Sequence, residues 1–273
     1  FPKNTQMKGR LWADAEIPDD IGGQTLSLTF TQLSDRTDRF DAPLLGSVRS
    51  ITGHHIQTSL FSLVMMLAMV ILAVLALLIF CYMGSCGIHE RRFLDVAVFL
   101  LLCSLWCLTD SALYQIYGRD TAAGSVVSFY AFMLMSIPMV HFVRNTVSGR
   151  QRLVPDICIA LLCANALAQG AAYRLFGIRF IDMLPLTHLL LAAGVAAMLT
   201  VLLRSYREQP SQQLRLRIAA FAALGVFGVA ALVLYGLLHI YWYDAIFQFG
   251  VLLFIIVLFR ELLGQATEDM RFH

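Results

Sequence analysis

The sequence predicts an all-α membrane protein, a seven-transmembrane-helix bundle that is preceded by the last strand or strands of an extracellular β-domain. Three observations support this fold class. The chain of 273 residues is 59% hydrophobic and 14% charged, whereas soluble domains average about 25% charged residues. Its apolar residues form runs long enough to cross a bilayer, which takes about 20 residues in a helix. Residues 1–58 differ from the rest, being polar with charges of both signs.

The amino-terminal part contains a strand pattern in the stretch IGGQTLSLTFTQL, residues 21–33. There Leu26, Leu28 and Phe30 alternate with serine and threonine, which is typical of a half-buried strand. A single strand needs partners to be stable. We therefore interpret residues 1–58 as the C-terminal remnant of an extracellular β-domain with its connector to the membrane, within a longer protein.

The membrane part, residues 59–260, contains seven apolar runs. Pro138 and Pro185 are expected to kink or start their helices. The charged stretch 261–273 is interpreted as the start of a cytoplasmic signalling linker helix. The runs lie near residues 59–83, 93–117, 125–143, 155–175, 184–204, 218–240 and 245–260.

Arginine residues predict the orientation, because short cytoplasmic loops carry an excess of positive charge. Eleven arginines follow the odd-numbered runs, and three follow the even-numbered runs. The N-terminus is therefore predicted outside and the C-terminus in the cytoplasm, as an odd number of spans requires. The eleven are Arg91, Arg92, Arg144, Arg150, Arg152, Arg204, Arg207, Arg215, Arg217, Arg260 and Arg271, and the three are Arg119, Arg174 and Arg179.

Composition and motifs argue against several classes of protein. The net charge of +2 is small and the positive charges are scattered over loops, so no nucleic-acid partner is expected. The sequence contains no phosphate-binding or dinucleotide-binding glycine motif and no zinc-ligand spacing. No cofactor or metal is expected in this chain. The six cysteines are interpreted as small hydrophobic residues rather than a disulfide framework.

Polar residues within the apolar runs fall toward the predicted outer face. Asp110 lies about 25 Å along its run, at 1.5 Å per residue from Phe93. If the helix continues to Tyr117, Asp110 shares one face with the residues four positions before and after it. The inner halves of the runs are nearly apolar. The candidate ligand-binding cavity is lined by Trp106, Asp110, Tyr114, Tyr130, Gln169, His188, His239, Asp244 and Gln248. The competing interpretation is that each of these residues is interfacial or structural.

The chain resembles the bacterial seven-transmembrane receptors with diverse intracellular signalling modules. The resemblance rests on FLLLCSLWCLTDSALYQIY (99–117), FYAFMLMSIPMVHFV (129–143) and FRELLGQATEDMRFH (259–273), which are similar to sensor diguanylate cyclases. It implies a jelly-roll or β-sandwich domain upstream that binds a small, carbohydrate-like ligand. It also implies a cytoplasmic GGDEF output domain downstream, a homodimer, and a location in the bacterial plasma membrane. It assigns no catalytic residue within this chain.

The leading hypothesis is a receptor that senses an extracellular ligand and regulates an output domain, in which a diguanylate cyclase makes cyclic di-GMP. A histidine kinase or phosphatase output is an alternative. A transporter or channel is a second hypothesis, although no inverted repeat or pair of broken helices is evident. A membrane enzyme or haem protein that uses His141, His188 and His239 is a third.

Overall fold

The computed structural model describes residues 17, 23, 25, 27, 44–88, 90–118, 120–234 and 243–272. Most of the predicted strand at 21–33 lies outside these residues, and no strand occurs among the residues described. The described chain forms nine α-helices: α1 (Val48–Ser85), α2 (Arg92–Asp110), α3 (Ala112–Tyr117), α4 (Thr121–Leu134), α5 (Ser136–Thr146), α6 (Leu153–Phe176), α7 (Phe180–Glu208), α8 (Gln212–Val233) and α9 (Tyr243–Phe272), with one 3₁₀ turn at Gly149–Arg152.

Seven helical segments of the described chain are long and apolar enough to cross a membrane, as the sequence predicted. They are Val48–Ser85, Arg92–Asp110, Ala122–Thr146, Gly149–Phe176, Phe180–Glu208, Gln212–Val233 and Ala245–Gly264. The third combines α4 and α5. An all-α, seven-helix architecture is thus confirmed for the membrane part.

The first helix begins at Val48, well before the apolar run that starts at residue 59. Ser47 caps it, because the Ser47 side chain accepts a hydrogen bond from the Ser50 amide at 3.2 Å. Such a cap satisfies one of the free amides of the first turn. The first turns of α1 therefore lie in the segment interpreted as a connector, where polar residues give no hydrophobic signal.

Two of the predicted spans are interrupted. The run 93–117 ends as a helix at Asp110, because Ser111 has an extended backbone with φ −69° and ψ 145°. Its hydroxyl then caps α3 by accepting from the Tyr114 amide at 3.2 Å. The second interruption separates α4 from α5 at Met135. Pro138 explains it, since proline lacks the N–H that would bond the carbonyl four residues earlier.

The core lies between α2, α5, α8 and α9. Phe99 and Phe221 both meet the Phe254 ring edge-on, at centroid distances of 5.8 and 5.2 Å. Phe93, Phe142 and Phe254 are completely buried. More of the exposed large apolar residues lie on α1 than on any other helix of the described chain, and α1 is only slightly buried, whereas α2 and α9 are well buried. Exposed apolar side chains on a spanning helix suit contact with lipid.

The contacts between helices define the two ends of the bundle. The α1–α2, α5–α6 and α7–α8 connections lie at the end that we call the arginine-rich end. There Arg217 at the start of α8 pairs with Glu261 of α9, and Arg144 of α5 pairs with Asp156 of α6. At the opposite end, Gln248 of α9 bonds to Ser62 of α1.

Candidate functional site

A small polar cavity lies at the opposite end, where α1, α2 and α9 meet. Trp106, Asp110 and Gln248, all predicted from the sequence, line it, together with Ser62, Cys107 and Ser111. Its volume is about 20 Å³, which is room for one water molecule. The structure thus brings three of the nine candidate residues together.

Gln248 is the central polar group of this cavity, since only 2% of its surface is exposed. Its amide nitrogen donates to the Ser62 hydroxyl at 3.0 Å and to the Cys107 sulfur at 3.4 Å. The Ser62 hydroxyl in turn donates to the Gln248 carbonyl oxygen at 3.4 Å. In lipid, hydrogen bonds of this kind between helices are worth about 0.6–2 kcal/mol each. Gln248 therefore links α9 to both α1 and α2.

Asp110 is the last residue of α2 and is exposed. The break at Ser111 thus places the carboxylate at the end of a span rather than within it. A negative charge at the C-terminus of a helix is unfavourable to the helix dipole. The dipole of its own helix therefore does not stabilise the Asp110 carboxylate, and Asp110 remains a candidate because it lines the cavity.

Trp106 and His188 are connected through an aromatic chain. The Trp106 ring lies 5.8 Å from Phe132 and 5.5 Å from Phe247. On its other side Phe132 meets the His188 ring edge-on at 5.7 Å. His188 therefore belongs to the wall behind Trp106, and it does not line the cavity.

Tyr114 and Tyr130 both pack against glycines. A Cβ on Gly124 would lie 2.0 Å from a ring carbon of Tyr114, and one on Gly170 would lie 2.1 Å from the Tyr130 hydroxyl. Tyr114 stands on α3, beyond the break, so the shared face with Asp110 that a continuous helix would create does not form. Tyr114 thus packs α3 against α4, and Tyr130 packs α4 against α6.

Gln169 lies in a separate polar cluster between α6 and α7. Its amide nitrogen donates to the Thr187 hydroxyl at 2.7 Å and to the Asn165 side-chain oxygen at 2.9 Å. All three residues are buried. The cluster joins two helices and is closed to solvent. Of the remaining candidates, His239 and the side chain of Asp244 lie outside the described part of the chain.

The arginine-rich end contains buried polar groups that the sequence analysis missed, since it described the inner halves of the helices as nearly apolar. Arg217 and Glu261 form a two-bond ion pair, at 2.6 and 3.1 Å, with side chains only 6% and 1% exposed. Sequence reasoning had assigned Arg217 to a loop and Glu261 to a linker. The two residues are far apart in the chain, so no local spacing indicated the pair.

A second buried group joins α2 to α5. The Asp95 carboxylate lies 2.7 Å from the His141 Nδ1 atom and accepts from the Asn145 amide nitrogen at 3.2 Å. His141 therefore has two polar partners, Asp95 and Asn145. A carboxylate in the first turn of an apolar helix is the signal that could have pointed to Asp95.

Glu90 lies just before α2, outside the spans. Among the described residues at this end, it is the carboxylate outside a span whose pKa is shifted. Burial raises the pKa of Glu90, but hydrogen bonds from Arg92 and the positive charges of Arg92 and Arg217 outweigh burial. The pKa of Glu90 is therefore lower than usual. Glu90 stays ionised and bonds to the Arg92 guanidinium, with one contact at 2.6 Å.

Comparison with protein-family models, with curated proteins and with solved structures gave no match for this chain. The class of the protein therefore follows from its fold. It is a multi-pass, α-helical membrane protein, with seven candidate spans in the described residues.

Proposed function

We propose that this chain is the membrane-spanning transducer of a receptor, in which α9 carries a conformational change from one end of the bundle to the other. The observation that carries the proposal is that α9 is a single helix, Tyr243–Phe272, anchored at both ends of the bundle by buried polar groups. Gln248 holds it at the small cavity, and Glu261 holds it at Arg217. These two positions are about 20 Å apart along the helix.

The two anchors suit a transducer because each joins α9 to different helices. Gln248 bonds to α1 and α2, whereas Glu261 bonds to α8. A ligand that favours one arrangement of α1, α2 and α9 would displace α9 at the cavity. Because α9 is a single helix, this displacement would also act on its buried contact with Arg217 at the other end. A ligand shifts such an equilibrium only by its differential affinity for the two states.

The cavity itself has room for one water molecule. A larger ligand must therefore open it or act through the upstream domain that the resemblance implies. In the proposed receptor, a small carbohydrate-like ligand binds outside. The signal reaches a cytoplasmic output domain after α9, proposed as a diguanylate cyclase that works as a homodimer. The plasma membrane is the proposed location.

The proposed orientation places the arginine-rich end in the cytoplasm, and it is tested by labelling Cys86. This thiol is exposed in the α1–α2 connection. In a Cys81→Ser background, we expect a membrane-impermeant maleimide to label Cys86 only after the cells are permeabilised. A Leu45→Cys substitution in a chain that also lacks Cys86 is the control, because Leu45 is 86% exposed at the opposite end. It should label in intact cells, and labelling of Cys86 in intact cells would reverse the orientation.

The transducer function is tested by variants of the cavity in the full-length protein. We expect Gln248→Leu to change the basal formation of cyclic di-GMP from GTP in isolated membranes by about fivefold, because it removes bonds worth about 1 kcal/mol that bias the position of α9. Asp110→Asn should change the response to ligand without lowering the amount of protein in the membrane.

The matched control for this experiment is Ile256→Leu, on the same helix but 56% exposed. It should leave cyclic di-GMP formation as in the wild type. Equal output from Gln248→Leu and the wild type would refute the role of the cavity in transduction. Absence of any cyclic di-GMP from the wild type would refute the cyclase output.

A further inference from the structure

The Asp95, His141 and Asn145 cluster has the geometry of a site that holds a proton. At 2.7 Å, the contact of His141 Nδ1 with an Asp95 oxygen requires a hydrogen between them. The second Asp95 oxygen accepts from Asn145, whose nitrogen lies 3.2 Å away. With Nδ1 engaged in this way, Nε2 is the ring atom on which a further proton binds.

Access to the two partners differs. The His141 side chain is 36% exposed, whereas that of Asp95 is 9% exposed. The imidazole is therefore the more accessible partner, and the carboxylate lies behind it. Imidazole is also the side chain that ordinarily changes charge between about pH 5 and pH 8.

The charges around the cluster come from few groups. Glu90, from the α1–α2 connection, acts on the Asp95 carboxylate. On the α6 side Asp156 is occupied by Arg144, and on the α8 side Arg217 is held by Glu261. Of the described residues, α4 brings no charged side chain, and α1 has only Arg49, near its far end. The helix α7 contributes the buried residues Met198, Val201 and Leu202 to the same core, and its charged residues Arg204, Arg207 and Glu208 are exposed. Glu90 is itself paired with Arg92, so Asp95 is the negative group in direct contact with His141.

The helix that carries His141 is a short separate unit. The helix α5 spans Ser136–Thr146, and the break at Met135 divides it from α4. Below it the chain turns at residues 147–152 into α6. The position of α5 against α2 therefore depends on contacts between the two helices rather than on a continuous backbone helix. The cluster provides a charged contact at that boundary.

We propose that Asp95, His141 and Asn145 form a proton-binding site that fastens α5 to α2. When Nε2 is protonated, an imidazolium donates to a carboxylate, so both partners of the hydrogen bond carry a charge. When the proton leaves, a neutral ring faces a buried carboxylate and the contact weakens. The contact is therefore strongest where the imidazolium and the carboxylate are both present, and it weakens as pH rises and the ring loses its proton. This site needs neither the ligand nor the output domain of the proposed receptor.

The test is amide hydrogen exchange of residues 136–146 in the full chain, reconstituted in lipid nanodiscs at about pH 5.5 and about pH 8. After correction for the intrinsic effect of pH, we expect exchange in wild-type α5 to be about tenfold slower at the lower pH. Equal corrected rates in the wild type at the two values overturn the proposal, whatever any variant does.

Variants assign the effect to the cluster. His141→Gln keeps a hydrogen-bond donor for Asp95 but binds no proton, so the pH difference in α5 should vanish. Asp95→Asn should abolish the difference as well. The matched control is His188→Gln on α7, where the ring packs against Phe132, and it should keep the wild-type difference. Retention of the full difference in His141→Gln, or its loss in His188→Gln, overturns the assignment.

Discussion

Replacing Glu261 with glutamine should lower the free energy of unfolding by about 3–5 kcal/mol, since it leaves the buried Arg217 charge without its partner. The two side chains are 6% and 1% exposed and make two hydrogen bonds. The guanidinium also lies 5.9 Å from the centre of the Phe142 ring, so water has little access to it. Equilibrium unfolding in mixed detergent micelles measures this loss.

Two comparisons separate the buried charge from a general effect of substitution. The double variant Arg217→Met, Glu261→Leu should recover most of the lost stability, because it removes both charges together. Asp156→Asn breaks the pair with Arg144, whose side chains are 36% and 46% exposed. It should cost less than about 1 kcal/mol, as exposed pairs do. A similar loss in Glu261→Gln and Asp156→Asn would contradict the importance of burial here.

The second large effect is expected at Gly250, where α9 packs tightly against Phe227 of α8. A Cβ at this position would lie 2.3 Å from the Cβ and 2.8 Å from the Cγ of Phe227. The Phe227 Cβ is attached directly to its backbone and cannot turn away, so the two helices would have to separate. We expect Gly250→Ala to reduce the free energy of unfolding by about 1–3 kcal/mol.

Gly264 provides a control on the same helix. A Cβ there would meet nothing within 4 Å, and alanine is the better helix former by about 1 kcal/mol. Gly264→Ala should therefore leave stability unchanged or raise it slightly under the same conditions. If both alanine variants were equally stable, the close approach at Gly250 would not limit the packing of α8 on α9.

The helix α9 carries the proposed signal and packs against α8, so these predictions also bear on function. Gly250 sets the distance between α8 and α9, and the Arg217–Glu261 pair sets their position along one another. A change in the position of α9 against α8 would have to alter both of these contacts.

Part of the candidate site was predictable. Asp110 and Gln248 were chosen because their depths along two predicted runs agreed, and Trp106 was chosen because it lies four residues before Asp110. The structure places all three around one cavity. Depth follows from a constant rise per residue, so it can be read from a sequence. Tyr114 was misplaced with respect to Asp110 because Ser111, which caps a new helix, interrupts the periodicity on which the shared face depended.

The sequence by itself determined the seven apolar segments, the polar connections between them and the excess of arginine in every second connection. These properties depend on composition over stretches of about 20 residues. Only the tertiary structure decided which polar residues meet. Asp95 lies 46 positions from His141, Arg217 lies 44 from Glu261, and Ser62 lies 186 from Gln248. The physical reason is that such pairs form where helices cross, and crossings depend on how side chains pack, which no local pattern records.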